Sequence, residues 1–184
     1  MKDIPKETLI KAARGDMEAF EYIYRTTSGF VYSVALRVIH NNADAQEVTQ
    51  DVFFKIHKNL RNFGFRASFK TWVYRITTNT AINRYRQRAK EAARRGDYDT
   101  AIKTKGVEGE AAKSIEQEDN QSRVMSLLAV LNADQRACLV LREIEGLSYE
   151  EIAKVLKINI NTVRSRLKRA RFALLNRGQR GDSK

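Results

Sequence analysis

Between residues 164 and 171, five of eight side chains are basic: Arg164, Arg166, Lys168, Arg169 and Arg171. Such a run suits one kind of chemistry, the neutralising of phosphates, and an arginine fork can also read guanine edges in a major groove. A solvated helix face is the alternative meaning of a charge run. What favours the groove is the setting. Just upstream, Ile152, Ala153 and Leu156 face a core, and the segment opens with Ser148 and Glu151, an N-cap and its reciprocal acid. After a turn, Val163, Leu167, Ala170 and Leu174 fall on one helical stripe. Ser165, Lys168, Arg169 and Phe172 fall opposite, flanked by Arg164, because each residue advances the helix by about 100°. Two short helices joined by a turn, the second rich in arginine, form the pattern of a helix-turn-helix.

A second basic group lies far away in sequence. Arg84, Arg86, Arg88, Lys90, Arg94 and Arg95 are opposed by the single Glu91. They follow a helical pattern with Phe69, Trp72, Val73 and Ile76 on one face and Arg75, Asn79, Asn83 and Arg86 along its margin. Before it runs a glycine loop, Arg61 to Ser68, that carries Phe63 and Phe65. Aromatics, arginines and asparagines interleaved in this way suit single-stranded nucleic acid, whose unstacked bases can be held in pockets. Trp72, at helical spacing with Phe69 and Ile76, reads as core. A third group is acidic. Val48, Val52, Phe53, Ile56 and Leu60 point inward on one helix, while Asp44, Glu47, Asp51 and Phe54 share the outward side with Lys55 and Lys58. This is either a solvated face or a docking surface for a protein with arginines, and an exposed phenylalanine among carboxylates has the composition of the latter.

The elements that must position these groups are helical. One proline, Pro5, interrupts 184 residues, and apolar positions recur at three and four, so an all-α fold is expected. The spacing predicts helices near 6–14, 16–26, 30–39, 44–60 and 68–88. Charge divides the chain: 18 basic and 9 acidic residues over 1–95, 3 and 7 over 96–120, 13 and 6 over 121–184. The acidic middle has three glycines and few large apolar residues, too little to bury against the cost of ordering. Two small helical domains, 1–95 and 121–184, joined by a flexible linker over 96–120, are therefore expected. A linker of that length would span about 25 to 30 Å, enough for two separate contacts on one partner.

A formal net charge of +12 favours a polyanionic partner. No segment approaches the ~20 apolar residues of a membrane span, and the first residues lack a signal peptide's apolar core, so no membrane insertion and a cytoplasmic location are expected. The single Cys138 lies in the apolar run from Ala137 to Leu141 and reads as core. His40 and His57 lack ligand spacing and no phosphate-cradling glycine loop appears, so neither enzymatic activity nor a metal or other cofactor is expected. A free-standing operator-binding dimer would need a dimer face, and no heptad seam offers one.

Three stretches carry a resemblance to bacterial extracytoplasmic-function (ECF) sigma factors, the small two-domain members of the primary sigma (sigma-70) family. Asp44-Ala-Gln-Glu-Val-Thr-Gln-Asp-Val-Phe-Phe-Lys55 resembles that family's polymerase-binding segment. Phe69 to Ala81 is similar to its helix for the minus-ten promoter element, and Leu147 to Arg171 to its module for the minus-thirty-five element. The resemblance implies a promoter-specificity subunit without catalysis of its own, made of sigma region 2, a linker and sigma region 4. It implies that Asp44, Glu47, Gln50, Asp51 and Phe54 dock on the clamp helices of the largest subunit of core RNA polymerase. By the same likeness Phe63, Phe65, Arg66 and Ser68, with Arg75, Asn79, Asn83 and Arg86, would hold the melted minus-ten strand and a flipped base. Asn161, Thr162, Arg164, Ser165, Arg166, Lys168 and Arg169 would meet the minus-thirty-five duplex. The likeness also implies control by a membrane-linked anti-sigma factor. This chain departs from the family in places. Gln46 stands where the family has Glu, the loop after Phe63 lacks an acid, and the turn reads Lys157-Ile-Asn-Ile-Asn161 without glycine. Asparagine tolerates the left-handed conformation, so Asn161 is expected to close that turn.

Overall fold

A computed structural model describes residues 1–94 and 124–181. The stretch expected to be a linker, 96–120, lies outside the described residues. All regular structure among the described residues is helical, as the spacing predicts. The first group comprises α1 (Lys6–Ala13), α2 (Met17–Ile39), α3 (Asn42–Asn59), which tightens into a 3₁₀ turn (Leu60–Asn62), and the long α4 (Phe69–Arg94). The second begins with helical residues 124–128 and continues through α5 (Ala133–Leu139), a π-turn (Val140–Ile144), α6 (Tyr149–Leu156) and α7 (Ile160–Gly181).

Helix starts follow side-chain chemistry. The Asp16 carboxylate accepts from the Ala19 amide at 2.9 Å, and Asn41 accepts from that of Asp44 at 2.9 Å. Asn132 with Gln135, and Ser148 with Glu151, form reciprocal capping boxes at the starts of α5 and α6. One difference from expectation concerns α2, which runs unbroken through residues 26–30. Thr27 is fully buried and returns its hydroxyl to the Ile23 carbonyl at 2.7 Å, so a polar residue inside the helix leaves no donor unpaired. Beyond it, the buried Val31, Val34, Ala35 and Val38 keep the helix packed on α3 and α4. Helix α2 then ends at His40, in the left-handed conformation at φ 62°, its amide donating to the Leu36 carbonyl.

Ile23, Val31, Val34, Val48, Val52, Ile56, Val73 and Tyr74 fill the first core. The inward set expected of α3 is buried as read, with Phe54 left outside at 68% exposure. In α4, three threonines sit on the buried side and bond back within the helix: Thr77 to the Val73 carbonyl, Thr78 to Tyr74 and Thr80 to Ile76, at 2.7 to 2.9 Å. Lys55 of α3 donates to Thr80 across the helix pair at 2.9 Å. Leu141, Ile152, Val155, Val163 and Leu167 fill the second core. The two groups meet, with α5 lying on α2 and α4, and α6 on α4. No helix among the described residues is long and apolar enough to cross a membrane.

Candidate nucleic-acid and protein interfaces

The acidic face of α3 is narrower than its sequence pattern. Glu47, Gln50, Asp51 and Phe54 are exposed, but Asp44 is buried, its side chain only 6% accessible. The helix start explains this: Asp44 sits in the first turn of α3 against the end of α4, where Arg84 and Arg88 both bond to its carboxylate. A carboxylate out of water needs such pairing. Asp44 therefore belongs to the seam between α3 and α4, not to the open stripe. Arg84 also reaches the exposed Glu47.

In the loop from Phe63 to Ser68, the two phenylalanines part company. Phe63 is buried and packs its ring on Phe65, Phe69 and Trp72, with centroids 4.8, 5.8 and 4.9 Å away. It anchors the loop from beneath. Phe65 is 43% exposed at φ 54°, a strained conformation for a bulky residue, and the Lys6 ammonium lies 5.0 Å from its ring centroid. Ser68 caps α4, its hydroxyl accepting from the Thr71 amide at 3.1 Å. Trp72 is half-buried within the aromatic cluster, in keeping with its reading as core. Arg66, Arg75 and Asn83 are exposed. Together the loop and α4 form one wall of a cleft of about 1150 Å³ containing Arg66, Trp72 and Arg75; Glu151 and Lys154 along α6, with Lys157 just after it, form the other.

Two members of the α4 line are already engaged. The Asn79 amide donates to the Val155 carbonyl at 3.2 Å, and Arg86 donates to both Asp134 oxygens at 3.0 and 3.1 Å.

On α7 the stripe behaves as read: Val163, Leu167 and Ala170 are buried, Leu174 partly, while Arg164, Ser165, Lys168, Arg169 and Phe172 face solvent. The Arg164 guanidinium donates to the Asn161 side-chain Oδ1 at 2.9 Å, and the Ser165 hydroxyl donates to the Thr162 backbone carbonyl at 3.0 Å. Thr162 is half-buried at the helix start. Arg166 is also half-buried and bonds Asp134 at 3.2 Å, so it is not open like its neighbours. The turn before α7 corrects one expectation. Lys157, not Asn161, takes the left-handed conformation, at φ 54°. The closing bond runs from the Ile158 amide to the Ala153 carbonyl at 3.1 Å, which fixes the left-handed residue directly after α6. Asn161 already lies in the first turn of α7.

Three features were not read from the sequence. Arg136 of α5 is buried against the Tyr85 ring, 5.2 Å from its centroid, with its Nε unpaired. Burial lowers the pKa of this arginine, and burial together with Arg136 lowers that of His40. Asp134, beside it, joins arginines from α4 and α7. An apolar groove of about 450 Å³, lined by Leu127, Leu128, Val140, Ile144 and Leu174, opens on the second group. Only the apolar spacing at 124, 127, 128 and 131 hints at it in the sequence. Cys138 is fully buried and burial pushes its thiol pKa up to about 11, against the opposing pull of Arg166. No cluster of His, Cys, Asp or Glu among the described residues has the grouping to hold a metal ion.

Residues 23–91 match the family Sigma-70 region 2, and residues 121–174 match Sigma-70, region 4. The chain is 37% identical over 173 residues to the RNA polymerase sigma-H factor of Pseudomonas aeruginosa, covering 89% of this chain and 88% of that protein. It is 34% identical over 177 residues to the ECF RNA polymerase sigma-E factor of Escherichia coli K12, covering 92% and 91%. Among solved structures it is similar to the sigma factor RpoE of Bartonella quintana, crystallised with the anti-sigma factor NepR. The TM-score there is 0.64 at 25% identity, over 85% of this chain and 94% of that one. The basic helix-turn-helix, the acid-faced α3 and the aromatic loop before α4 thus sit inside two matched regions, and the chain belongs to the sigma-70 family, among the extracytoplasmic-function sigma factors.

Proposed function

We propose that this chain binds core RNA polymerase and directs it to a two-part promoter, where it takes part in strand opening. The observation that carries the reading is the opposition of surfaces on one molecule: Phe54, at 68% exposure among Glu47, Gln50 and Asp51, against the basic faces of α4 and α7. An acid-rimmed apolar contact suits an arginine-bearing protein, here the clamp helices of the largest polymerase subunit, and repels DNA. Asp44 supports that contact from inside by tying α3 to Arg84 and Arg88 of α4.

Arg164, Ser165 and Arg169 read base edges or groove shape in the minus-thirty-five duplex, with Asn161, Thr162, Arg166 and Lys168 on the backbone. The loop held by Phe63, with Phe65, Arg66 and Ser68, receives a base unstacked from the minus-ten strand, and Arg75, Asn79, Asn83 and Arg86 follow that strand along α4. Unpairing costs a few kcal/mol per step, and capture of the freed base offsets part of it. Catalysis stays with the polymerase. Residues 1–95 act as one unit and 121–184 as the other, with 96–120 as the connection. An anti-sigma factor, the kind of partner seen with the Bartonella relative, controls access to these faces.

The test is co-purification with core polymerase and run-off transcription. Asp51→Lys with Phe54→Ala abolishes association while helicity is kept; association at the wild-type level would sink the α3 assignment. For the regulator, co-expression with a candidate anti-sigma protein blocks polymerase binding, and undiminished binding would remove that part.

A further inference from the structure

The match to Sigma-70 region 2 begins at residue 23, so α1 lies outside it. Its seat is apolar: Leu9 and Ala12 are buried, and the helix packs along α2. Its two ends do something else. Arg61, in the 3₁₀ turn after α3, donates through Nε to the Ala13 carbonyl at 3.0 Å, a cation placed at the negative end of the helix. At the other end the Lys6 ammonium stands over the ring of Phe65, 5.0 Å from its centroid. One short helix thus holds the chain at residue 61 and again at residue 65, on either side of the buried Phe63.

Lys6 is in the wrong place for α1 and the right one for the loop. It occupies the first helical position, where the macrodipole disfavours a cation, and the neighbouring Glu7 turns to Lys11 at 3.2 Å. Phe65 has the complementary need. A bulky residue at φ 54° is strained, and such a conformation persists only where the surroundings over-determine it. The Phe63 ring, at 4.8 Å and 53°, supplies one restraint, and a cation over the aromatic face supplies a second. With both in place Phe65 is still 43% exposed, and that open part is what a freed base can meet.

We propose that Lys6 is a positioning residue for promoter recognition: by holding the Phe65 ring it makes a strained loop residue a fixed stacking platform for the base released from the minus-ten strand. Helix α1 is thereby part of the recognition apparatus. The inference rests on the reading that this loop receives the base, and it adds the helix that aims the loop. A platform that wanders must be ordered again each time a base arrives, so loss of the ammonium weakens base selection.

The experiment has two arms. In the free chain, with isotope-labelled lysine, NMR reads the Lys6 ε-methylene protons, which the ring beneath them shifts upfield. Lys6→Met identifies that signal by removing it, and Phe65→Leu returns it to the ordinary lysine position. In the second arm, core polymerase carrying the chain transcribes a promoter library randomised across the minus-ten element, which reads base preference at every position. The chains compared are the wild type, Lys6→Met, Lys6→Arg, Phe65→Leu and the double variant Lys6→Met with Phe65→Leu. Circular dichroism checks that helicity is kept, as expected at two exposed positions. Lys6→Met should lower discrimination about two- to fivefold, at the position that Phe65→Leu also affects and at no other. Lys6→Arg, whose guanidinium makes the same kind of contact, should keep it, and the double variant should be no worse than Phe65→Leu alone. An unshifted Lys6 signal overturns the proposal, as does a Lys6→Met chain with wild-type base preference. A Lys6→Met loss that is uniform across sequences and adds to that of Phe65→Leu overturns it too, since that marks a phosphate contact or a purely structural role. Failure of the underlying reading looks different: the Lys6 signal is shifted, yet Phe65→Leu leaves base preference unchanged at every position, and the inference falls with it.

Discussion

The α4 and α7 faces are built from the same materials, arginines on a helix whose other side is buried, yet they stand in different states. On α7, Leu167 and Val163 hold the helix down and leave Arg164, Lys168 and Arg169 unopposed in solvent, while Arg166 and Arg171, at the edge of that face, are drawn to Asp134 and Glu143. On α4, Arg84 and Arg88 are drawn to Asp44, Arg86 to Asp134, and Asn79 to a carbonyl of α6. A count of basic residues does not distinguish the two. What separates them is which acids the fold carries to them from about forty residues away or more, and a surface charge tied up in this way contributes little to an external partner until that acid is displaced.

The comparison breaks most completely if α7 loses its seat. Leu167 is 1% exposed, and Leu167→Ala should cost about 2 to 5 kcal/mol, read as a large drop in the urea midpoint of the second group. With the seat intact, Arg169→Ala removes one candidate base contact; about 1 to 3 kcal/mol should be lost from promoter binding by the holoenzyme, at one position of the minus-thirty-five element. If discrimination at every position is kept, Arg169 serves only as a phosphate contact. Asp44→Ala sharpens the contrast from the other side, because it frees Arg84 and Arg88. Both arginines are partly solvated, so about 1 kcal/mol of thermal stability should go, and binding to single strands should gain salt sensitivity. The smallest effect is a gain. Lys157 holds φ at 54° where glycine is at ease, and Lys157→Gly should raise stability by up to about 1 kcal/mol, with the helix-turn-helix geometry unchanged.

Much of this molecule was legible in its residues. The helix-turn-helix could be read because cap, stripe and basic face all arise within 25 residues, so local rules suffice: Ser148 and Glu151 close their box, and Val163, Leu167 and Ala170 go inward. The inward side of α3 was legible for the same reason. The unbroken course of α2 was not, because Thr27 and Gly29 look like punctuation until the Ile23 carbonyl is there to take the hydroxyl. Asp44 and Phe63 were placed too far outward for a different reason. Periodicity assigns them a face, but Arg88 of α4 and the ring of Trp72 decide their burial, and both arrive by tertiary packing. Asp134 gave no signal at all, since its two arginines belong to helices on either side of it in sequence.

Cys138 has a practical consequence. Its sulfur is sealed in the second core with a pKa near 11, so at neutral pH it keeps its proton and offers no thiolate to an alkylating reagent. Unfolding returns it to an ordinary thiol. The molecule's sole sulfhydryl is therefore a native clock: the rate at which iodoacetamide caps it times the breathing of the helices around it, without any label added.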